Sequence, residues 1–480
     1  MLDQKLAKKL EESSFEGSET KPLYISKISI DGDNVNSPLS NSSYKAILDQ
    51  ALTQPLQNVG SSLYTFGDIR KKLLCTGLYQ DVKITLESDP DIRSQDYLRE
   101  RVPRELGIEL PLATHAKILL TPSAVYNSTA GTTSLFDDSA SMAISRSCMN
   151  LFGRGDSEYI HMGLNYDPES SKWEGKSLKG QLSVPLTKNP SVRANLYLDA
   201  VKMDMKSKPY LSPEDGHDLY QYSLSAGLQK RWILDQVTSV PTLYAGISSS
   251  NRCISGLGDK ASETFTKYSG NFNKIAVEMK FHNDTRKYFG AFPISGYELL
   301  VHNDYIISQS NALHQTLPPE RNFSKFNFSL QHHSSHWQNK LTNSLHLQLG
   351  ALIPFGNEKD SIHPLDKWYL GGLDSLKGFQ SNSVGLRGSN FYYKLGLTSS
   401  QKLIKTPLDS PLRLRFFMNL GNTFNDLRSA KSSCAAATGV TLAYKTPQAD
   451  VDITYALPLT SRLQDISKPG ISFGVTFSYF

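Results

Sequence analysis

Lys377 and Phe379 stand either side of Gly378 in the run Trp368-Tyr369-Leu370-Gly371-Gly372-Leu373-Asp374-Ser375-Leu376-Lys377-Gly378-Phe379. No other spacing in the chain implies a positioned site so directly, and the chemistry it implies is non-covalent. Adjacent glycines allow positive φ and close backbone approach. A cation and an aromatic ring then follow in fixed order, as they would in a loop folded into a polar interior. There Lys377 needs a polar partner and Phe379 packs on the wall; a surface hairpin is the competing reading. His332, His333, His336 and His346 could offer imidazoles to a metal. On a strand, however, neighbouring side chains point to opposite faces, so His332 and His333 are not expected to share an ion. Arg154-Gly155-Asp156 matches an adhesion tripeptide, but a glycine-rich hairpin accounts for it. Gly-x-Ser-x-Gly, His-Glu-x-x-His and Walker patterns are missing, and Ser, Asp and His form no recognisable triad. The expectation is a protein that is not an enzyme and uses no cofactor and no metal.

The elements that must hold such a loop are strands. From about Ser123 the sequence becomes segments of about ten residues separated by Gly, Asn, Asp, Ser and Pro clusters. Tyr222, Leu224, Ala226 and Leu228 alternate with Gln221, Ser223, Ser225, Gly227 and Gln229. Leu345, Leu347, Leu349 and Ala351 oppose His346, Gln348 and Gly350, and Ala194, Leu196, Leu198 and Ala200 oppose Asn195, Tyr197 and Asp199. One apolar and one polar face per strand suits a wall between lipid and a wet lumen. Such segments number about sixteen. An open sheet of that size would leave backbone groups unpaired in hydrocarbon, so the fold expected is an all-β transmembrane barrel of antiparallel strands. A propeller would show a repeat of about 40 to 50 residues, and a sandwich rarely needs so many strands.

Composition agrees. Hydrophobic residues are 39% and charged residues 20%, too polar for a helical membrane protein but suited to strands with one lipid-facing side. No run approaches the roughly 18 apolar residues of a membrane helix, and the first twenty residues lack the apolar centre of a secretory signal. Cys75, Cys148, Cys253 and Cys434 lie singly, which suggests neither zinc nor a disulfide framework. A net charge of +5, dispersed over the chain, does not argue for nucleic acid.

Residues 1–21 read as a mobile leader. Residues 22–122 read as an α+β module. Tyr24 to Ile30 alternates as a strand, Tyr44–Ala51 and Thr65–Leu74 carry helical spacing, and Val82–Leu86 and Ala116–Thr121 are strands. Residues 123–480 are the barrel, with the inward loop at about 360–385 and the closing strand at Gly470 to Phe480. In that strand Phe473, Val475, Phe477 and Tyr479 are expected to face lipid, and Ser472, Gly474, Thr476 and Ser478 the lumen.

The loop run resembles the sixth-loop motif of the Omp85 superfamily, Leu-Gly-Gly followed by Arg-Gly-Phe or Arg-Gly-Tyr, with Lys377 where the family has Arg. Leu73 to Val82 resembles the helix-to-strand junction of the POTRA module, and Met149-Asn150-Leu151-Phe152-Gly153 a turn near the start of such barrels. Ser472, Gly474, Phe477 and Tyr479 fit a mitochondrial β-signal. With a single module, the chain resembles the fungal type of that superfamily's branch in the mitochondrial sorting and assembly machinery (SAM/TOB complex). The resemblance implies that Leu370, Gly371, Gly372, Leu376, Lys377, Gly378 and Phe379 form the inward loop. Its partners on the wall are Phe417 and Asn419, with Asn419 where relatives carry an acid, so a neutral or water-bridged contact between Lys377 and Asn419 is expected. It further implies an insertase for β-barrel precursors of the mitochondrial outer membrane, with the module in the intermembrane space. Strands would pair at a seam between the first and last strands, where Asn127, Ser128 and Gly131 supply weak packing. A porin-like or protein-translocating channel is the second reading. The implied partners are precursor proteins, peripheral accessory subunits, membrane lipid and other outer-membrane barrels, with no nucleic acid.

Overall fold

A computed structural model describes residues 19–32, 39–89, 111–123 and 127–479, the last with breaks at 138, 168–170, 207, 209–210, 234–239, 312–316, 318–320, 357–361, 374, 386–387, 404–405, 408–409, 429–433 and 461. Most of the expected leader, and Ala124 at the expected start of the barrel, lie outside the described residues. The chain divides into two units. One is Met1–Asn127 with the turns Cys148–Ser157 and Ser183–Arg193; the other is Ser128–Ser147, Glu158–Leu182 and Ala194–Phe480.

In the first unit the elements are β1 (Pro22–Asp31), α1 (Asn41–Thr53), β2 (Leu56–Asn58), α2 (Val59–Cys75), β3 (Tyr79–Ser88) and β4 (Leu112–Pro122). The strands form a sheet in the order β2-β1-β4-β3, with β1 and β4 parallel. This is a mixed α/β domain of POTRA-like fold, differing from expectation by the short added strand β2. Each helix starts where a side chain can take an orphan amide. Ser40 accepts from the Ser43 amide, and Asn58 and Ser61 cap reciprocally. The helical spacing read in the sequence buries Ile47, Phe66, Ile69 and Leu73 against Val82, Ala116, Ile118 and Leu120.

The two turns of this unit are tied to it by polar contacts. Arg193, 1% exposed, donates to Ser183 Oγ (2.7 Å), to the Thr76 carbonyl (3.2 Å) and to the Gly155 carbonyl (2.9 Å). The Gly153 carbonyl accepts from the Ser40 amide at 2.7 Å. Asp156 is fully buried, and its carboxylate accepts from the Phe152 and Arg154 amides. The tripeptide therefore spends its carboxylate inside its own turn, which removes the adhesion reading.

The second unit holds the barrel strands: β5 (Asn127–Phe136), β6 (Ala140–Met149), β7 (Ser157–Asp167), β8 (Lys172–Pro185), β9 (Val192–Asp204), β10 (Asp218–Arg231), β11 (Thr242–Ser255), β12 (Gly270–Asp284), β13 (Lys287–Phe289), β14 (Phe292–Ser310), β15 (Phe323–His336), β16 (Leu341–Pro354), β17 (Phe391–Lys402), β18 (Leu412–Phe424), β19 (Ala435–Lys445), β20 (Ala449–Pro458) and β21 (Gly470–Tyr479). Sequential neighbours pair, β12 also pairs directly with β14, and β21 pairs with β5, so the sheet closes. The three-residue β13 only extends the hairpin onto β14, and the other strands make a barrel of sixteen. Alternation decides the faces. On β18, Phe416 and Met418 are exposed while Arg413, Phe417 and Asn419 are buried. On β21, Phe473, Phe477 and Tyr479 are exposed and Ser472 is buried. Among the described residues no helix is long and apolar enough to cross a membrane, and closure lets strands do so.

Candidate functional site

Between β16 and β17 the chain runs from Phe355 to Asn390, and its described residues form no strand. Trp368 and Ser389 exchange two backbone hydrogen bonds, 2.8 and 3.0 Å, and so pin the two ends of the segment together. Its tip is buried. Leu370, Leu376, Phe379 and Val384 pack on Ala435 and Ala437 of β19. The glycines are required by space as well as dihedral. Gly378 has φ +90, and a Cβ there would lie 2.8 Å from that of Ala437. Gly371 has φ +125, and a Cβ would lie 2.3 Å from the Gln380 carbonyl oxygen. Gly372 also has positive φ.

Lys377 reaches the wall, but not at the residue expected. Its ammonium donates to Thr441 Oγ1 (3.1 Å), lies 3.5 Å from Thr454 Oγ1, and sits 5.2 Å from the centre of the Phe417 ring. Asn419 is not its hydrogen-bond partner. Gly378 rests against Ala437, which pairs with Asn419 across β18 and β19, so the loop backbone already occupies the Asn419 rung. The four-carbon stem then runs along the wall to the hydroxyls. Two threonine hydroxyls and a ring face meet the ammonium there.

The acid is on the loop instead. Asp366, in the short 3-10 turn Pro364–Asp366, accepts two hydrogen bonds from the Arg252 guanidinium of β11 (2.6 and 2.9 Å) and one from Lys274 of β12 (2.8 Å). Arg252 and Asp366 are both buried. Burial alone would raise the Asp366 carboxyl; Arg252 and Lys274 outweigh it and hold it well below the usual carboxylate range. The neighbouring His363 ring is pushed well below its ordinary value by burial and by Arg252. This bidentate anchor escaped the sequence reading, which searched the wall for an acid to match a loop cation. The available signal was Arg252 at an inward position of β11 with Ser248 and Ser250, all buried, which needs an anion.

The same loop lies against the connection between β20 and β21. Gln380 donates its amide to the Ile466 carbonyl (3.0 Å), the Lys468 amide donates to the Gly378 carbonyl (2.9 Å), and the Gly385 amide donates to Asp465 (2.8 Å). Arg462 holds Asp465 through two nitrogens at 2.6 and 2.8 Å and reaches Asn422 of β18. From there the contacts lead to the first barrel strand. The Lys468 ammonium is 3.3 Å from Asp137, just past the end of β5, and Asp137 also accepts from the Phe473 amide at 2.7 Å. Loop motif, last strand and first strand are thus joined through Gly378, Lys468 and Asp137.

Among the described residues the seam pairs Gly474–Tyr479 with Phe136–Gly131. Gly131 faces Tyr479, Thr133 faces Phe477, and Thr476 Oγ1 donates to Ser134 Oγ at 2.9 Å. Asn127 and Ser128 lie on β5 beyond that register and are exposed, so of the three named gate residues only Gly131 faces the closing strand. Across the lumen, His333 bonds Ser344 and stacks edge-on to His346, while His332 is exposed on the other face. Two His–carboxylate groups, Glu278/His302/Asp304 and His282/Asp284/Glu298, have metal-like spacing. Lys280 pairs with Glu278, and Arg286 pairs with both Asp284 and Glu298.

A closed sixteen-strand barrel whose lumen is occupied by an anchored loop, with a POTRA-like domain in the same chain, defines an outer-membrane barrel of the insertase and translocase class rather than a catalytic enzyme. The chain belongs to the Omp85 superfamily: the superfamily domain matches residues 150–479. It is similar to a SAM50-like protein of Schizosaccharomyces pombe, 23% identical over 348 residues, 69% of this chain and 67% of that one. It is also similar to the Sorting and assembly machinery component 50 homolog A of Xenopus laevis, 23% identical over 428 residues, 85% of this chain and 81% of that one. Among solved structures it resembles BamA from Haemophilus ducreyi lacking POTRA domains 1–3, with TM-score 0.66 and 14% identity over 95% of this chain and 85% of that chain.

Proposed function

We propose that the protein inserts β-barrel precursors into the mitochondrial outer membrane by opening the seam between β5 and β21, with its POTRA-like domain in the intermembrane space. The observation that carries this is the short seam together with its linkage to the loop. Among the described residues β21 meets β5 over Gly474–Tyr479, and the loop bonds to the Ile466 to Lys468 stretch just ahead of β21. A precursor strand leaving water would satisfy its backbone at an edge already in the membrane, and no nucleotide or cofactor is needed for that exchange. The relatives named for sorting and assembly machinery support the mitochondrial substrate and the partnership with peripheral subunits. A pore reading is weaker, because the loop fills part of the lumen and is anchored at Asp366 and at its tip.

The test is a reversible lock. Ser134→Cys with Thr476→Cys places two thiols where two hydroxyls now lie 2.9 Å apart. Oxidised protein in isolated mitochondria should fail to assemble an imported barrel precursor, and reductant should restore assembly. Equal assembly in the locked and unlocked states would refute lateral opening. Normal precursor assembly after joint replacement of Lys377, Gly378 and Phe379 would return the loop to a pore constriction.

A further inference from the structure

The outer face of the wall next to the seam carries two cations that the insertase reading does not use. On the hairpin β8–β9, a Cβ on Gly180 would lie 3.8 Å from that of Leu198, which makes these two residues cross-strand partners. Four residues further along each strand, away from the hairpin turn, the same register sets Lys176 opposite Lys202. Both share the outward face with the exposed Leu178 and Leu198, and both are exposed. Like charges directly opposite each other on a sheet destabilise the pair, and cations on the lipid face are costly unless they meet an anion or the interface. Of the acids nearby, Glu174 pairs with Lys208 and Asp218 with Lys206 at 3.0 Å, and Asp218 and Asp204 also attract Lys202 without forming an ion pair with it. The Lys202 ammonium lies over the Tyr220 ring at 4.9 Å, and Lys176 has no ion pair among the described residues.

These two lysines border an apolar groove of about 870 Å³. Met142, Ile144, Met162 and Leu164 line it, and all are exposed on the barrel's outside. At its far side it reaches Gly131 and Tyr479, the pair that ends the seam. A hydrocarbon-lined channel headed by two ammonium groups matches a molecule with one anionic end and a long apolar body.

We propose that this groove binds a phospholipid with an anionic headgroup, its phosphate between Lys176 and Lys202 and an acyl chain lying along the wall to Gly131 and Tyr479. The occupant would neutralise the facing charges and fill the surface beside the seam. The proposal rests on the barrel spanning a bilayer and not on precursor insertion: loss of insertion with lipid selection intact would count against the insertase reading alone.

The test uses the full chain, folded in detergent, incubated with equal amounts of phosphatidylglycerol and phosphatidylcholine and read by native mass spectrometry of the retained lipids. Wild type should retain phosphatidylglycerol preferentially. Lys176→Gln with Lys202→Gln should reduce that preference roughly thirtyfold, as two interfacial lysines would. Lys176→Arg with Lys202→Arg should keep it, and so should Lys260→Gln with Lys287→Gln, which removes the same charge elsewhere. Heat-modifiable mobility on gels establishes that each variant is a closed barrel. No preference in wild type, an unchanged preference in the double glutamine variant, or a lysine-dependent dimer in place of bound lipid would each overturn the proposal.

Discussion

Lys377 shows how a family motif can change its chemistry while keeping its place. A guanidinium would call for a carboxylate fork; the ammonium here settles on Thr441, Thr454 and the Phe417 ring. A double-mutant cycle between Lys377→Met and Phe417→Leu should therefore show a coupling of about 1 kcal/mol in thermal unfolding, the size of a partly desolvated cation–π contact. A cycle between Lys377→Met and Asn419→Ala should show none. Gly378→Ala asks for a side chain at φ +90 and within 2.8 Å of Ala437. It should destabilise the docked tip by about 1 to 3 kcal/mol, seen as faster protease cutting in the loop.

At the scale of elements, the loop is held at a second place besides its motif, the buried Asp366 anchor. Asp366→Asn leaves the buried Arg252 and the part-buried Lys274 without a counter-charge and should cost about 3 to 5 kcal/mol in the thermal stability of the barrel. The pH dependence follows from the sign of the shift. The folded carboxyl lies below its unfolded value, so its contribution is complete above about pH 4 and is lost only as pH falls through the depressed folded value. Protease resistance of the loop should thus be equal at about pH 7 and pH 5 in the wild type, and already lost at pH 7 in Asp366→Asn. In the first unit, Arg193→Met should free the Thr76, Gly155 and Ser183 carbonyls together. Amide exchange should then quicken in the turns Cys148–Ser157 and Ser183–Arg193.

For the whole molecule, the contacts that matter link loop and seam. If Asp137 couples Lys468 to the Phe473 amide, Asp137→Ala should loosen the end of the seam. In the Ser134→Cys/Thr476→Cys background it should slow disulfide formation under mild oxidation, because the two strands spend less time paired. An unchanged rate would show that β5 and β21 hold each other without the loop's help. Much of this was readable in advance at the level of faces. The period-two patterns of β10 and β21 placed Tyr222, Leu224, Leu228, Phe473 and Phe477 outside and Ser472 inside, as the structure has them. The start of β5 was less legible: weak packing drew attention to Asn127 and Ser128, whereas the pairing register begins at Gly131.

What the amino-acid order determined alone was therefore local and periodic. Alternation of side chains is a property of each strand by itself, closure follows because no edge can be left in hydrocarbon, and paired glycines mark a tight loop wherever it docks. What only the tertiary structure decided was which residues meet across long separations. Asp366 lies 114 residues from Arg252, and Asp137 lies 336 residues from Phe473. Neither strand nor loop pattern encodes such a pair, since each is fixed by strand registers summed around a closed sheet. The loop's counter-charge could thus sit on the opposite partner from the one the motif suggested, and Lys377 could reach the hydroxyls of Thr441 and Thr454 where a contact with Asn419 was expected.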